Sequence, residues 1–293
     1  MWQAYEIPTS VEETLEILDR YQGAAQIIAG GTDLIIELQE DKHTVDCLVD
    51  VTRIPDLDCI EKEGDWIVMG ANVTFRQIKD SPLLQEHARV LSEAAATVGA
   101  LQIQAVATLA GNLVSSLPAA DGCVALVALS AEAEVATPEG RRWQPVGDLF
   151  LAPGKSAVDP HRQMITAIRF PAAGPGYGSA WERIGRRRAL VLPILNCGVS
   201  LQLDDEGRSI KWARLGLGPV APVPFRAKQT EAFLTGKPAS DETYREAAEI
   251  AATEAHPRSS LLRASREYRV EVIKVLVRQA LERAVEQARS GLA

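Results

Sequence analysis

Two short motifs in the first half of the chain combine glycine with hydroxyl and amide residues, a composition typical of anion-binding loops. The first covers residues 27–34 (Ile-Ile-Ala-Gly-Gly-Thr-Asp-Leu), and the second covers residues 107–121 (Ala-Thr-Leu-Ala-Gly-Asn-Leu-Val-Ser-Ser-Leu-Pro-Ala-Ala-Asp). Each joins an apolar run to a segment with helical patterning, where free backbone N–H groups favour a phosphate. Two such loops suit a ligand with two phosphates and a long body, such as a dinucleotide.

The side chains of both motifs fit the same interpretation. Glycine at positions 30, 31 and 111 would let the backbone take positive φ angles and approach a ligand closely. Asp33 would cap a helix, and Asp121 would either cap the next helix or accept from a sugar or ribityl hydroxyl. From spacing alone, two ordinary turns with ordinary caps are the more common explanation of these residues. The side chains able to donate to phosphate oxygens are Thr32, Thr108, Asn112, Ser115 and Ser116.

Motifs for several other chemistries are missing from the sequence. Neither G-x-G-x-x-G nor G-x-x-x-x-G-K-[ST] occurs, which disfavours a standard NAD domain and a P-loop ATPase. No Ser–His–Asp arrangement or paired carboxylates stand out, which disfavours a serine hydrolase or a glycosidase. The cysteines show no C-x-x-C spacing, so we expect no metal site. We interpret the four cysteines as buried or incidental thiols, namely Cys47, Cys59, Cys123 and Cys197.

Composition limits the class of protein. The chain has 293 residues, of which 46% are hydrophobic, enough for about two domains with full cores. Its net charge of -8 argues against nucleic acid as a partner. Residues 94–120 carry no charge but are too polar and too broken by glycine and proline for a membrane span. The first residues lack the basic start and apolar core of a signal peptide, so we expect a cytoplasmic protein.

The hydrophobic patterns predict three units that would position the motifs. Residues 1–55 form a small βαβ-like unit, with a helix at 10–21 opened by a Ser10–Glu13 capping box. Residues 56–173 form a second α/β unit, followed by a proline- and glycine-rich linker at 171–178. Residues 179–290 form an antiparallel sheet followed by helices. Strands are predicted at 179–183, 195–203 and 210–216, and helices at 230–235, 241–255 and 265–289.

The two motifs resemble the flavin-binding motifs of the FAD-binding medium subunit of molybdenum hydroxylases, the group that includes carbon monoxide dehydrogenase and xanthine dehydrogenase. The family patterns A-G-G-[TH]-[DS]-L and A-T-[IV]-G-G-N-x-x-x-x-S-P-A-A-D match residues 29–34 and 107–121 in order. Ala110 replaces a glycine of the pattern, and Leu117 separates its serine and proline. The flanks also resemble the family, at 165–171, 181–190 and 264–269.

The resemblance implies an α+β fold, with a two-subdomain FAD-binding domain of the vanillyl-alcohol-oxidase type and a C-terminal domain with an antiparallel sheet and helices. Non-covalent FAD would lie between the subdomains, with its diphosphate held by N–H groups of 29–33 and 108–112. Ile165 would contact the flavin, and Arg183 would lie near the ring and stabilise its reduced form. The implied cofactor-binding residues are Ile27, Ile28, Ala29, Gly30, Gly31, Thr32, Asp33, Leu34, Thr108, Ala110, Gly111, Asn112, Ser116, Asp121, Ile165 and Arg183.

The resemblance also implies partners. A large subunit would carry molybdopterin, and a small subunit would carry two [2Fe–2S] clusters, as a dimer of heterotrimers. Electrons would pass from the substrate at molybdenum through the clusters to FAD and then to an external acceptor. Two alternatives remain open from the residues, namely a stand-alone flavin oxidoreductase and a flavin-binding carrier module. The lack of a set of cluster cysteines and of an obvious catalytic base favours the electron-transferring subunit.

Overall fold

The computed structural model describes residues 2–187, 190–260 and 263–292. Its first unit is a parallel sheet of three strands in the order β1-β3-β2, joined by helical crossovers as parallel pairing requires. Ser10 Oγ accepts the N–H of Glu13 at the start of the first helix, which confirms the first half of the predicted capping box, whereas the Glu13 carboxylate accepts from Thr9 and not from Ser10. The elements are β1 (Ala4–Glu6), α1 (Val11–Arg20), β2 (Ala25–Ile28), α2 (Leu34–Gln39) and β3 (Cys47–Asp50).

The second unit is a five-stranded antiparallel sheet in the order β4-β5-β10-β6-β7, with six helices inserted between its second and third strands in the chain. A two-stranded hairpin precedes the last strand. The elements are β4 (Ile60–Glu63), β5 (Trp66–Gly70), α3 (Phe75–Asp80), α4 (Pro82–His87), α5 (Arg89–Thr97), α6 (Leu101–Gln104), α7 (Leu109–Ser115), α8 (Asp121–Ala128), β6 (Glu132–Thr137), β7 (Gly140–Pro145), β8 (Phe150–Ala152), β9 (Lys155–Ser156) and β10 (Met164–Pro171).

The third unit is a four-stranded antiparallel sheet in the order β11-β12-β13-β14, and the last helix of the chain packs on it. The predicted linker is shorter than expected, since the neighbouring strands extend into it and leave only residues 172–176 between them. The elements are β11 (Tyr177–Ile184), β12 (Leu195–Leu203), β13 (Ile210–Gly218), β14 (Phe225–Arg226), α9 (Lys228–Leu234), α10 (Asp241–Glu254) and α11 (Arg266–Ser290). No helix among the described residues is long and apolar enough to cross a membrane.

Helix α5 of the second unit docks on strand β11 of the third. The Glu93 carboxylate accepts the Trp181 N–H at 3.1 Å and Arg283 Nη2 at 2.5 Å. Ser179 Oγ accepts the N–H of Val90 at 3.2 Å. The Trp181 side chain is buried in the hydrophobic core of the second unit. These contacts fix the third unit against the second. The positions of the site residues described below depend on this docking.

A prediction follows from the close packing of α11 on β11 at Gly178. A methyl group on Gly178 would lie 1.9 Å from the Ala284 carbonyl oxygen, so the helix would have to move away from the sheet. We expect Gly178→Ala to lower the free energy of unfolding by about 1–3 kcal/mol, measured by chemical denaturation. Gly174→Ala is the control, because no atom lies within 4 Å of its added carbon. Equal stabilities of the two variants would contradict this packing.

Candidate functional site

A cavity of about 940 Å³ lies between the first sheet and the helices of the second unit, and residues 190–192 of the third unit contribute to its wall. Its size is at the upper end of the roughly 300–1,000 Å³ typical of small-molecule sites. The structure brings both glycine motifs together here. Of the residues expected to bind a cofactor, those that line the cavity are Ile27, Ile28, Ala29, Gly30, Gly31, Thr32, Asp33, Leu34, Thr108, Ala110, Gly111, Asn112, Asp121 and Ile165.

The first motif is a turn between β2 and α2 with unused backbone donors. Gly31 has a φ of +65°, which favours glycine. Gly30 has no positive φ; it is required because an added carbon would lie 2.0 Å from the Val106 carbonyl oxygen just before the second motif. The N–H groups of residues 30–33 have no acceptor among the described residues. Four backbone donors are therefore available to a ligand at the cavity wall.

The second motif contains a helix where a glycine loop was expected. Helix α7 begins after Thr108, whose Oγ1 accepts the Gly111 N–H at 3.1 Å. Gly111 is helical, so the expected positive φ at this position is wrong, and helical geometry also tolerates the methyl group of Ala110. The Ala110 N–H has no acceptor among the described residues. The second motif therefore offers a helix N-terminus to the same cavity.

Asp33 joins the two motifs. It stands at the N-cap position of α2, but its carboxylate makes no capping hydrogen bond, so the predicted cap is wrong. Instead Asp33 Oδ2 accepts the Ser115 hydroxyl at 2.9 Å, across 82 residues of sequence. The same bond corrects the expectation that Ser115 donates to a phosphate. Because this contact lies at the cavity wall, it helps to set the distance between the two motifs.

Ser116 lies outside the cavity lining, and this corrects its expected contact with a cofactor. It is fully buried in the left-handed conformation at the end of α7, with a φ of 50°. Its hydroxyl lies 3.1 Å from the carbonyl oxygen of Lys155 and 3.4 Å from that of Ala152. Its own carbonyl oxygen accepts the Gly154 N–H at 3.0 Å. Ser116 therefore holds the β8–β9 hairpin against α7.

Asp121 and Arg183 form a buried ion pair at the edge of the cavity. Arg183 Nε lies 3.2 Å from Asp121 Oδ2, and Asn196 Nδ2 and Thr97 Oγ1 donate to the same carboxylate at 2.6 and 3.2 Å. Burial raises the pKa of Asp121 to about 6, against the opposing effects of the Arg183 charge and of the hydrogen bonds from Asn196 and Thr97. Asp121 is the first residue of α8 and makes no capping bond.

Arg183 itself does not line the cavity. Its side chain is 8% exposed and lies behind Asp121, where Nη2 also donates to the carbonyl oxygen of Val191. The expected cation near the ring is therefore a partner of Asp121, and the pair carries little net charge. Thr97 and Asn196 belong to no sequence motif, and only the tertiary fold brings them to Asp121.

Ile165 lines the cavity beside an irregularity in the sheet. Strand β10 pairs with β6 on both sides of a register shift between Ile165 and Ala167. The β8–β9 hairpin, the segment 158–160 and residues 190–192 line the same space, and no sequence motif marked them. Arg186 and Arg187 are exposed and border a neighbouring pocket.

The arrangement can hold an anion by backbone N–H groups while apolar walls cover a long ligand. Residues 2–173 match the model for the FAD binding domain in molybdopterin dehydrogenase, and residues 181–284 match the model for the CO dehydrogenase flavoprotein C-terminal domain. The nicotinate dehydrogenase FAD-subunit of Eubacterium barkeri is 31% identical over 240 residues, or 80% of each chain.

A carbon monoxide dehydrogenase medium chain from Hydrogenophaga pseudoflava is 28% identical over 280 residues, or 96% of each chain. A solved structure of carbon monoxide dehydrogenase from the same organism superposes with a TM-score of 0.91 at 28% identity, covering 98% of both chains. The predicted α+β fold class is confirmed by this match. The chain therefore belongs to the FAD-binding subunits of the molybdopterin-dependent dehydrogenases, an oxidoreductase family in which molybdopterin and iron–sulfur clusters lie on other subunits.

Proposed function

We propose that this subunit holds the diphosphate of FAD between its two glycine motifs and relays electrons from a partner's [2Fe–2S] clusters to an external acceptor. The observation that carries the proposal is the row of N–H groups at residues 30–33, which line the cavity and have no acceptor in the part of the chain that the structure describes. Such turns bind phosphate because their N–H dipoles converge on one point. The Ala110 N–H, at the start of α7, is a fifth donor to the same space.

FAD, when bound, supplies the redox chemistry, because it can exchange electrons both with one-electron clusters and with two-electron acceptors. The residues of this chain bind and orient it. The Asp33–Ser115 bond maintains the spacing of the donors, and the hydrophobic wall, with Ile165 and Val191 among its residues, excludes water. The Asp121–Arg183 pair adjusts the charge near the site without leaving an isolated buried ion.

We further propose that the chain assembles with a large molybdopterin subunit and a small iron–sulfur subunit as a dimer of heterotrimers. Relatives that carry the names medium chain and FAD-subunit support a place in a heteromeric complex. Those relatives belong to enzymes for nicotinate and carbon monoxide, so we infer that the large subunit determines the substrate. The four free thiols fit a reducing compartment such as the cytoplasm.

The proposal is tested by comparing the chain produced alone with the chain produced together with the products of its neighbouring genes. Alone, it should bind one FAD per chain, show flavin absorption and oxidise no substrate. Together with its partners it should copurify with molybdenum and iron. A chain that retains no flavin absorption after incubation with FAD and removal of the unbound FAD would disprove the proposal. Substrate oxidation by the isolated chain would indicate a stand-alone oxidoreductase instead.

The bond between the motifs gives a quantitative prediction. Ser115→Ala removes the donor to Asp33, so the first motif is held less firmly against α7. We expect FAD affinity to fall by about three- to tenfold, which corresponds to a hydrogen bond of about 0.5–1.5 kcal/mol. Titration of the apoprotein with FAD, followed by quenching of flavin fluorescence, measures the change. Ser290→Ala removes a hydroxyl that bonds only within α11 and should leave the affinity unaltered.

The ion pair at the cavity edge predicts opposite shifts of the flavin reduction potential. Arg183→Met removes a positive charge and should lower the potential, whereas Asp121→Asn removes a negative charge and should raise it. Arg183→Lys keeps the charge and should change the potential little. Redox titration of the bound flavin measures all three variants. Because a broken buried pair destabilises by about 3–5 kcal/mol, the Asn variant provides the test if the Met variant does not fold. Shifts of the same sign would contradict this electrostatic role.

A further inference from the structure

The charges around the cavity are unbalanced for a ligand that carries a diphosphate. Four carboxylates line it, at Asp33, Glu37, Asp121 and Asp159. Among the described lining residues there is no arginine or histidine, and Lys155 is the one lysine. Backbone N–H groups solvate a phosphate but carry no net charge, so an anion entering an acidic cavity gains from a nearby cation. Lys155 is therefore the lining residue able to supply that charge.

Lys155 is free to act in this way. Its side chain is exposed, and its ammonium forms no ion pair or hydrogen bond with the described residues. Two of the lining carboxylates do have partners, since Asp121 is paired with Arg183 and Asp33 accepts from Ser115. The lysine thus has no partner among the described residues to give up when an anion binds.

The backbone at Lys155 is held in place by the second glycine motif. Strand β9 begins at Lys155, directly after Gly154, which has a φ of +71°. Ser116 contacts this hairpin through its carbonyl oxygen, which accepts the Gly154 N–H, and through its hydroxyl, which lies near the carbonyl oxygens of Lys155 and Ala152. The preceding residue, Ser115, bonds to Asp33 of the first motif. The two consecutive serines therefore connect the hairpin of Lys155 on one side and the turn with the free N–H groups on the other.

We propose that Lys155 supplies the cation that pairs with the diphosphate of FAD, and that Ser116 is a positioning residue that holds Lys155 at the cavity. This inference rests on the proposed FAD site and assigns it a charged residue outside both glycine motifs. It also gives a physical role to the serine of the second motif, whose hydroxyl points into the protein and not toward the ligand.

The test uses the full chain as apoprotein, titrated with FAD at low and at high ionic strength. Lys155→Gln should lower FAD affinity about tenfold at low salt, as expected for a hydrogen bond to a charged group. It should also weaken the salt dependence of binding, because an ion pair is lost. Lys155→Arg should retain both properties. Lys62→Gln is the control, since Lys62 is an exposed lysine on β4 that does not line the cavity.

A double-mutant cycle tests the role of Ser116. Ser116→Ala should weaken FAD binding when Lys155 is present and should have little further effect in the Lys155→Gln variant. A general loss of packing would weaken binding equally in both backgrounds and would overturn the positioning role. Unchanged affinity and salt dependence in Lys155→Gln, with FAD still bound by the wild type, would overturn the role of Lys155 alone. Failure of the wild type to bind FAD would overturn the FAD site itself.

Discussion

The site depends on the close approach of two segments that are about eighty residues apart. At Gly30 the backbone of the first motif passes so near the Val106 carbonyl that no side chain fits between them. The Asp33–Ser115 hydrogen bond fixes the same approach from the other side. Without it the N–H groups of the turn and the start of α7 would not face one cavity. Gly30 is thus needed for the contact between the motifs, whereas Gly31 is needed for its left-handed backbone conformation.

The third unit contributes to the site from behind. Arg183 on β11 and Asn196 on β12 both donate to the Asp121 carboxylate, which belongs to the second unit. The docking of α5 on β11 holds these donors at the correct distance. Any movement of the third unit would remove partners from a buried charge, which is strongly unfavourable. The flavin domain and the C-terminal domain are therefore electrostatically coupled at the cavity edge.

The sequence alone was sufficient to predict the first helix and the strands and helices of the third unit, which follow from local periodicity. The fold class followed from the resemblance of two motifs, in a specific order, to those of a known family. The sequence was not sufficient for the roles of individual polar groups. Asp33, Ser115 and Ser116 each carry a hydroxyl or carboxylate in a suggestive position, yet each bonds to protein. Which acceptor a hydroxyl selects depends on tertiary neighbours, and spacing along the chain does not record those. Lys155, in a short hairpin without a motif, was missed for the same reason.

Both glycine motifs lack basic residues, and the use of backbone N–H groups as phosphate donors explains why. A diphosphate bound mainly by N–H groups is stabilised by fixed dipoles that need no reorganisation and that add no net charge near the redox centre. Asp121 and Arg183 form a balanced ion pair at the cavity edge. A separate cation on a hairpin, at Lys155, can strengthen cofactor binding through the phosphates without being part of that pair. Affinity for FAD and the reduction potential of the bound flavin can in this way be adjusted by different residues.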